Sequence, residues 1–419
     1  MNYFLGGDHP VTDAEIETTL REMLCGKGLK KILLLPPDIT RLNSYGGVIS
    51  NMIYKLLPDC EVDVMPALGS HVKMTREEAA RMYGDIPYER FIEHRWREDV
   101  VKLGEVPADY VKEVSEGYMD TAIDVEVNKR LLDKSYDLIL SIGQVVPHEV
   151  VGMANYLKNV FVGCGGASMI NYSHYLGALY GMERMMGRDH SPVHKVFDYA
   201  YEHYLQEIPL TFILTVTSPV DGKTQVDAVS IGSQRDTFEK AVAVSQKRNL
   251  DILDKPIKKA VVYLDPDEFR TTWVGNKSIY RTRMAIDDGG ELIVLAPGVH
   301  GCGEDPINDV LIRRHGYIGR EGVFAAVKSD PELQENLGVA AHLIHGSSEG
   351  RFRITYAAGG LTKEEVESLN FSYMDCDEAL KKYDITKLKN GYNTVDGEEI
   401  FFISNPALGL WAFKDRFYA

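Results

Sequence analysis

Three short apolar segments in the first part of the chain are each followed by a polar loop. KKILLLP (Lys30–Pro36) stops at PPDITRLNS, EVDVMPAL runs into the turn at Gly69–His71, and DLILSIG (Asp137–Gly143) ends where polar residues begin. Near-continuous apolar runs are typical of strands buried in a parallel sheet, whose carboxyl ends collect ligand-binding side chains. We therefore expect functional residues just after these strands.

Helical signals fall between the strands. Thr75 with Glu78 three residues later has the pattern of a capping box, which predicts a helix just after His71. Alternation of strands and helices predicts an α/β fold with mostly parallel sheets. Further elements are predicted as helices at Asp13–Cys25, Tyr175–Arg188, Pro192–Glu207 and Thr237–Asn249 and as a strand at Thr211–Thr217.

A second set of α/β signals follows DKPIKK (Asp254–Lys259), which we interpret as a linker. The prediction is two α/β domains, residues 1–254 and 255–419, with an active-site cleft between them and a chain end able to pack back on the first domain. In the second domain, strands are expected at KAVVYL, GGELIVLAPG, RFRITYA and EEIFFIS and helices at Ser278–Asp287, Asp305–His315 and Lys363–Leu369.

Composition and charge narrow the class of function. The 46 basic and 62 acidic side chains give a net charge of −16, whereas general nucleic-acid binding relies on a basic surface. The start lacks a signal-peptide pattern and no apolar run suits a membrane span, so a cytoplasmic protein is expected. Five dispersed cysteines without a CxxC pair indicate neither disulfides nor structural zinc. A small-molecule ligand is the expected partner.

Several side chains after the predicted strands are candidates for chemistry. His71 and His148 follow strands directly, and imidazole suits proton transfer near neutral pH, although surface or satisfied core histidines share this pattern. Lys158 lies in the mostly apolar NYLKNVFVG, where desolvation would give a nucleophilic amine; a surface lysine is the alternative. His174 is a candidate metal ligand or a structural residue.

Charged side chains add an anion-binding feature. Asp38, Thr40 and Arg41 form a compact DITR group at a strand end, and the arginine guanidinium matches a carboxylate or phosphate. Lys277, in WVGNKSIYRTR, is predicted to face the same cleft from the second domain. Arg41 and Lys277 together suit an anionic substrate, with solvated surface charges as the alternative.

As a set, these residues resemble the nickel-dependent lactate racemase family, whose enzymes use a nickel-pincer nucleotide. The shared features stand in the family's order and at its spacings over most of the chain. They are DITR (Asp38–Arg41), ALGSH (Ala67–His71), PHE (Pro147–Glu149), Lys158 ten residues after His148, His174 sixteen after Lys158, and Lys277 twelve before the glycine pair of DDGGELIV.

The resemblance implies a cofactor-binding first domain. Lys158 would be joined covalently to the nickel-pincer nucleotide (nickel pyridinium-3,5-bisthiocarboxylic acid mononucleotide), and His174 would be the nickel ligand from the protein. Thr40 is expected to contact the cofactor phosphate. Cofactor-biosynthesis proteins are the implied protein partners.

The resemblance also implies an isomerase reaction, inversion at C2 of a 2-hydroxy acid through hydride transfer to the cofactor and back. His71 and His148 would be the acid–base pair, one on each side of the substrate. Arg41 and Lys277 would hold the carboxylate, and Asp38 would orient Arg41 or a histidine.

Departures from the family pattern bear on the substrate. Asn155-Tyr156-Leu157 stands where lactate racemases usually have Gly-Gly-Arg, Val274 replaces a glutamine, and a pocket tryptophan aligns near Leu337 or Gly338. A substrate larger than lactate is therefore expected, such as a sugar acid (D-gluconate) epimerised at C2, with lactate or malate as alternatives. Polar candidates for its further hydroxyls are Asn155, Asn171, Asn276, His342 and His345.

Two other classes of protein fit the same residues. One is a metal-dependent hydrolase or lyase without the pincer cofactor, and the other is a non-catalytic protein that binds the cofactor. A nicotinamide dehydrogenase is disfavoured, because no GxGxxG motif with a following acidic residue occurs after a strand.

Overall fold

The computed structural model describes residues 2–220 and 222–418. Two compact units divide the chain. The first takes the chain up to Leu176 and again from Met185 to Asn249, and the second takes Gly177–Arg184 and the chain from Leu250 onward. Both units are α/β, and most strand pairs in the six-stranded sheet of each unit are parallel, which confirms the predicted fold class.

The first unit contains a six-stranded sheet. Its strands, in chain order with those of two short hairpins, are β1 (Tyr3–Gly6), β2 (Lys31–Leu35), β3 (Glu61–Val64), β4 (Val100–Val106), β5 (Ile123–Asn128), β6 (Leu138–Gln144), β7 (Pro147–His148), β8 (Gly152–Met153), β9 (Leu210–Val220) and β10 (Lys223–Gly232). The sheet has the order β1, β10, β9, β6, β2, β3. The pairs from β9 to β3 are parallel, whereas β10 is antiparallel to β9 and β1.

Burial explains the apolar runs in the sequence. Ile32, Leu33, Leu34 and Leu35 of β2 are all fully buried, so both faces of this central strand are covered. Alternate residues of β2 enter one core cluster that also contains residues of β3, β6 and β10. A strand buried on both faces cannot show the polar alternation of a surface strand.

The strand order places a switch point between β2 and β6. From β2 the chain continues to β3 on one side, whereas β6 lies on the other side of β2. Loops that leave two such strands in opposite directions open a crevice at their carboxyl ends. The loop after Leu35 and the segment after Gln144 begin at this crevice.

Three helices predicted before Leu250, at Asp13–Cys25, Pro192–Glu207 and Thr237–Asn249, lie close to observed ones. The helix predicted at Tyr175–Arg188 is wrong in its bounds, because the observed helix already begins at Ala167 and is interrupted at Gly181, whose φ is 108°. Thr75 and Glu78 form the predicted capping box, but the helix starts at Arg76 rather than directly after His71, because the intervening residues form a turn and an extended segment. The bounds are α1 (Asp13–Leu24), α2 (Gly46–Leu56), α3 (Arg76–Tyr83), α4 (Ala108–Val114), α5 (Leu157–Phe161), α6 (Ala167–Tyr180), α7 (Met182–Met185), α8 (Pro192–Tyr204) and α9 (Arg235–Arg248).

The second unit contains another six-stranded sheet. Its strands, with a short separate pair, are β11 (Asp251–Leu253), β12 (Ile257–Tyr263), β13 (Ile286–Ala296), β14 (Arg353–Ala358), β15 (Ser372–Tyr373), β16 (Gly391–Val395), β17 (Glu398–Ile403) and β18 (Trp411–Phe413). The order is β15, β14, β13, β12, β17, β16, and only the pair β16–β17 of this sheet is antiparallel among the described residues. Near the chain end, β18 pairs with β11.

One predicted helix of the second unit is wrong. A helix was expected at Ser278–Asp287, but the observed helix ends at Tyr280 and β13 begins at Ile286. The residues between them form irregular turns, in which the Arg283 N–H donates to the Ile279 carbonyl (2.9 Å). The helices are α10 (Thr272–Gly275), α11 (Lys277–Tyr280), α12 (Pro306–His315), α13 (Gly319–Ser329), α14 (Pro331–Glu335), α15 (Leu337–His345), α16 (Lys363–Ser368), α17 (Cys376–Lys382) and α18 (Lys414–Phe417). Within the described residues, none of these or the earlier helices is long and apolar enough to cross a bilayer.

Candidate active site

Asp38 organises the loop after β2. It caps the 3₁₀ helix Ile39–Ser44, and its Oδ1 accepts hydrogen bonds from the Thr40 N–H (3.0 Å) and the Thr40 hydroxyl. Its Oδ2 lies 2.5 Å from Nδ1 of His71. Burial alone would raise the pKa of Asp38, but the hydrogen bond and charge of His71, followed by Thr40, hold it below its usual range. The buried group is therefore an ionised carboxylate.

His71 is an exposed imidazole held at one nitrogen. Its turn is fixed by hydrogen bonds from the Gly69 N–H to the Gly163 carbonyl (2.9 Å) and from its own N–H to the Leu68 carbonyl (2.9 Å). The ring is 58% exposed. With Nδ1 on Asp38, Nε2 is left to exchange a proton with a ligand, as in carboxylate-oriented histidines that act as general bases.

His148, by contrast, is buried just past the end of β6. Its Nδ1 accepts the Val150 N–H (3.1 Å), so the neutral ring carries its proton on Nε2. Burial lowers its pKa well below the usual value, and although the Glu149 carboxylate opposes this, the charges of Lys158 and Arg41 reinforce it. The imidazole is therefore neutral at neutral pH.

Lys158 lies on α5, and that helix is tied to the sheet beneath it. The Asn159 amide donates to the Leu35 carbonyl (2.8 Å) at the end of β2 and to the Ser141 hydroxyl (3.0 Å) in β6. Burial, and next the charge of Arg41, lower the pKa of Lys158 to about 8. A minority of the amine is therefore unprotonated and nucleophilic near neutral pH, far more than for an ordinary lysine.

His174 on α6 has the environment of a metal ligand. Its Nδ1 lies 2.6 Å from the Ile170 carbonyl oxygen, which can only accept, so Nδ1 carries the proton and Nε2 has a lone pair. Burial lowers its pKa to about 4, so the ring is neutral. A backbone carbonyl that fixes the tautomer in this way is the usual support of a metal-bound histidine.

The first unit brings these side chains into one electrostatic group. The pKa of His148 responds to Arg41, Lys158 and His174, and that of Lys158 responds to Arg41 and Asp38. Glu149 also acts on three of them and was not singled out from the sequence, where its only signal is its position beside His148. The first unit thus groups a lysine of lowered pKa with His148, His174 and the Asp38–His71 pair.

Lys277 belongs to the second unit, at the start of α11, with its Nζ 5.8 Å from the centre of the Phe269 ring. The neighbouring Asn276 is fully buried. His342 on α15 stacks on Trp273 (4.2 Å between ring centres) and contacts the Tyr317 hydroxyl through Nε2 (3.1 Å). The polar candidates Asn276 and His342 are thus interior residues of this unit, as is His345.

A separate cluster of possible metal ligands, Asp189, His190 and Glu239, lies outside this group. The Arg235 guanidinium lies 3.7 Å from Asp189 and 3.6 Å from Glu239. A resident cation already balances these carboxylates, so the cluster is an ion-pair network rather than a second metal site.

Comparison with known proteins bears on this arrangement. Residues 8–187, which contain the whole group in the first unit, match the model of the lactate racemase N-terminal domain. The first part of the chain is therefore similar to the N-terminal domain of lactate racemases. No curated protein matches it in sequence.

Solved structures extend the similarity of fold to the rest of the chain. A Thermotoga maritima protein from a structural genomics programme superposes with a TM-score of 0.82 at 25% identity, over 98% of this chain and 100% of its own. The lactate racemase apoprotein from Thermoanaerobacterium thermosaccharolyticum superposes with a TM-score of 0.69 at 17% identity, over 97% and 91% of the two chains. At this level of identity, the second match shows a shared fold.

Proposed function

We propose that the protein is a racemase or epimerase that inverts C2 of a 2-hydroxy acid with the help of a nickel-pincer nucleotide. The observation that carries the proposal is the tautomer of His174 beside the low-pKa amine of Lys158. A ring with Nδ1 on a backbone carbonyl and a lone pair on Nε2 is suited to bind a metal, and a lysine whose pKa is lowered to about 8 is suited to covalent attachment.

The residues of the first unit fit this cofactor. Lys158 would hold it covalently and His174 would supply the nickel ligand, a neutral nitrogen donor of the kind that nickel accepts. When bound, the cofactor supplies reversible acceptance of a hydride from C2. Thr40 keeps its predicted role at the cofactor phosphate, although its hydroxyl already donates to Asp38.

The two histidines would move the proton of the C2 hydroxyl. His148 is neutral, but its proton would first have to shift from Nε2 to Nδ1, giving up the bond from the Val150 N–H, so that Nε2 could accept the hydroxyl proton. His71 can accept it at Nε2 while the Asp38 carboxylate stabilises the resulting imidazolium through Nδ1. Because inversion exposes both faces of C2 in turn, a separate base on each side of the substrate is required.

Arg41 is exposed beside this pair and would bind the substrate carboxylate, fixing the reacting carbon. Lys277 is a second predicted carboxylate ligand. The substrate proposed is a sugar acid, with inversion of D-gluconate at C2, because Asn155 and Val274 differ from the residues typical of lactate racemases. Lactate or malate is the alternative.

The test is proton NMR in D2O with the cofactor-loaded protein and a panel of lactate, malate and gluconate, with chiral chromatography for lactate and malate because their enantiomers give identical spectra. We expect an epimer that retains its C2 proton, because a hydride returned from the cofactor does not exchange with solvent. Deuterium at C2 would contradict hydride transfer. The His71→Ala variant, loaded in the same way, should bind the acid but not invert it.

Mass spectrometry of the Lys158 peptide separates the alternative classes. A hydrolase or lyase without the cofactor predicts an unmodified lysine after incubation with the cofactor. A non-catalytic carrier predicts the mass shift on Lys158 without inversion of any acid in the panel.

A further inference from the structure

Asn155 and Tyr156, just before α5, both have a backbone conformation that side chains disfavour. Their φ angles are 69° and 56°. Two successive residues other than glycine in the left-handed region are uncommon, and such strain persists where the surroundings enforce it. Each side chain should therefore have a reason to be there.

Tyr156 has a structural reason. Its ring is buried and packs against Phe212 (4.5 Å between ring centres) and Phe238 (5.0 Å). These contacts anchor the start of α5 in the core of the first unit. They also fix the position of the preceding residue.

No comparable packing of the side chain explains the positive φ of Asn155. Its Oδ1 accepts the Tyr156 N–H (2.8 Å), but within the described residues no acceptor takes a hydrogen bond from its amide nitrogen. The side chain is only 7% exposed. Since its NH2 group has no acceptor in the protein, water or a ligand would have to take its hydrogen bonds.

The amide nitrogen lies at the carboxyl end of β6. A Cβ added to Gly143 would be 2.1 Å from it, so the close approach depends on glycine, and Pro37, next to Asp38, lies 3.7 Å from the same point. The Asn155 carbonyl accepts the Lys158 N–H (3.2 Å). The NH2 group is thus placed between the loop of Asp38 and Arg41 and the helix of Lys158.

We propose that the Asn155 amide donates a hydrogen bond to a substrate hydroxyl beyond C2 and thereby selects polyhydroxy acids over simple 2-hydroxy acids. This inference rests on the proposed function. An amide is a neutral donor and suits a hydroxyl oxygen, whereas Arg41 in the same crevice suits the carboxylate. A site that pairs a buried donor with a substrate hydroxyl disfavours the analogue without it.

The variants Asn155→Gly and Asn155→Asp remove the hydrogen-bond donor while allowing the backbone to keep its positive φ. Glycine adopts the left-handed conformation freely, and aspartate keeps the shape and tolerates it but cannot donate when ionised. Tyr156→Phe, which keeps the ring in the core, is the matched control. Circular dichroism and the thermal midpoint should be close to wild type for all three proteins.

Steady-state kinetics of the loaded enzymes with gluconate and lactate give the result. We expect both Asn155 variants to lose about tenfold or more in kcat/KM for gluconate, mainly through KM, with less than about threefold change for lactate. Tyr156→Phe should change neither. Calorimetric dissociation constants for the two acids should shift in the same selective way.

Equal losses for both acids, or unchanged values for gluconate, would overturn the selectivity assigned to Asn155 while leaving the proposed reaction standing. A wild-type protein that takes up the cofactor yet inverts no 2-hydroxy acid would overturn both. The two failures are therefore distinguishable by the wild-type rate alone.

Discussion

Lys158 lies where charge is disfavoured, and this has a measurable consequence for its chemistry. Because burial and the charge of Arg41 lower its pKa to about 8, its amine should react with an acylating reagent with a midpoint near that pH in the cofactor-free protein. Arg41→Gln removes one cause and should move the midpoint upward. Peptide mass spectrometry after pulse labelling at a series of pH values measures both.

Lys387 is the control for this titration. It is 81% exposed, and its hydrogen bond to Asp384 raises its pKa above the usual lysine value of 10.5. It should therefore label only at more alkaline pH in wild type and variant alike. A Lys158 midpoint close to that of Lys387 would show that the site does not activate the amine.

The sequence indicated candidate residues for the site, but not their protonation states or hydrogen-bond partners. His71 and His148 were candidates because each follows a predicted strand, and Lys158 because it lies in a mostly apolar segment, and both of these are local patterns. The partners that decide their chemistry are not local: Asp38 lies 33 residues from His71. The positive φ of Tyr156 carried no signal, because tyrosine rarely adopts it; asparagine tolerates the positive φ of Asn155 but is equally common in loops without one.

The turn between α5 and α6 is packed so closely that it excludes a side chain. A Cβ on Gly165 would lie 1.8 Å from the Phe161 carbonyl oxygen, and the Gly165 carbonyl accepts a hydrogen bond from Nε2 of His94 (3.0 Å). Gly165→Ala should lower the free energy of unfolding by about 2–4 kcal/mol, because backbone must shift. Urea denaturation followed by circular dichroism measures it.

Gly301→Ala is the matched control for that substitution. A Cβ there would meet its nearest neighbours at 3.7 Å and 3.8 Å, which is ordinary contact. Its stability should stay close to wild type. If Gly165→Ala were equally mild, the turn could relax and its tight packing would not define the start of α6.

His194 on α8 should make the stability of the folded protein depend on pH. Burial first, then the charge of Arg235, lower its pKa to about 3, while Nε2 contacts the Met153 carbonyl (3.0 Å). Because the folded pKa is below the unfolded value of 6.5, the unfolded chain binds an extra proton as pH falls from about 6.5 towards 3, and stability declines. The loss from pH 7 to pH 5 should be about 2 kcal/mol.

His194→Gln can keep a donor for Met153 without titrating, so its unfolding free energy should fall less steeply between pH 7 and pH 5. The exposed His203 offers a control, and His203→Gln should keep the wild-type slope. Identical slopes for wild type and His194→Gln would assign the acid sensitivity to other groups.

Secondary structure was predictable where one pattern dominates. The central strands and α1, α8, α9 and α12 lie close to their predicted positions. Strand β10 was missed, because it is buried over seven successive residues that include Asp227 and Ser230, so neither an apolar run nor alternation marks it. The helix expected after Ser278 failed because its turns do not continue regularly beyond Tyr280.

At the scale of the whole molecule, Glu183 stabilises the second unit through ion pairs with two arginines. Its carboxylate accepts from Arg283 (2.9 Å), whose side chain is 5% exposed, and from Arg351 (2.9 Å). Glu183→Gln leaves the Arg283 charge without its counter-ion and should destabilise this unit by about 2–4 kcal/mol. Differential scanning calorimetry should show the loss.

Glu321→Gln is the control for this charge removal, since Glu321 is 87% exposed and 3.7 Å from Arg320. It should leave the transition unchanged, as exposed pairs usually contribute little. An unchanged transition in Glu183→Gln as well would mean that Arg283 is sufficiently solvated by its bond to the Ser347 carbonyl.

The large-scale organisation was only partly readable from the sequence. Two sets of strand and helix signals separated by a linker pointed to two α/β bodies. No sequence pattern indicated that Gly177–Arg184 belongs to the second unit, because this depends on partners such as Arg283 and Arg351 that lie 100 or more residues away.

The assignment of Gly177–Arg184 to the second unit limits how the two units can be recombined. The chain passes from one unit to the other after Leu176, returns after Arg184 and leaves again after Asn249. A chimera that exchanges only the residues from Leu250 onward would combine a foreign second unit with the native Gly177–Arg184 segment. Successful exchange should therefore require both segments, including Glu183, to be transplanted together. The second unit is thus encoded by two separate stretches of sequence that must match each other.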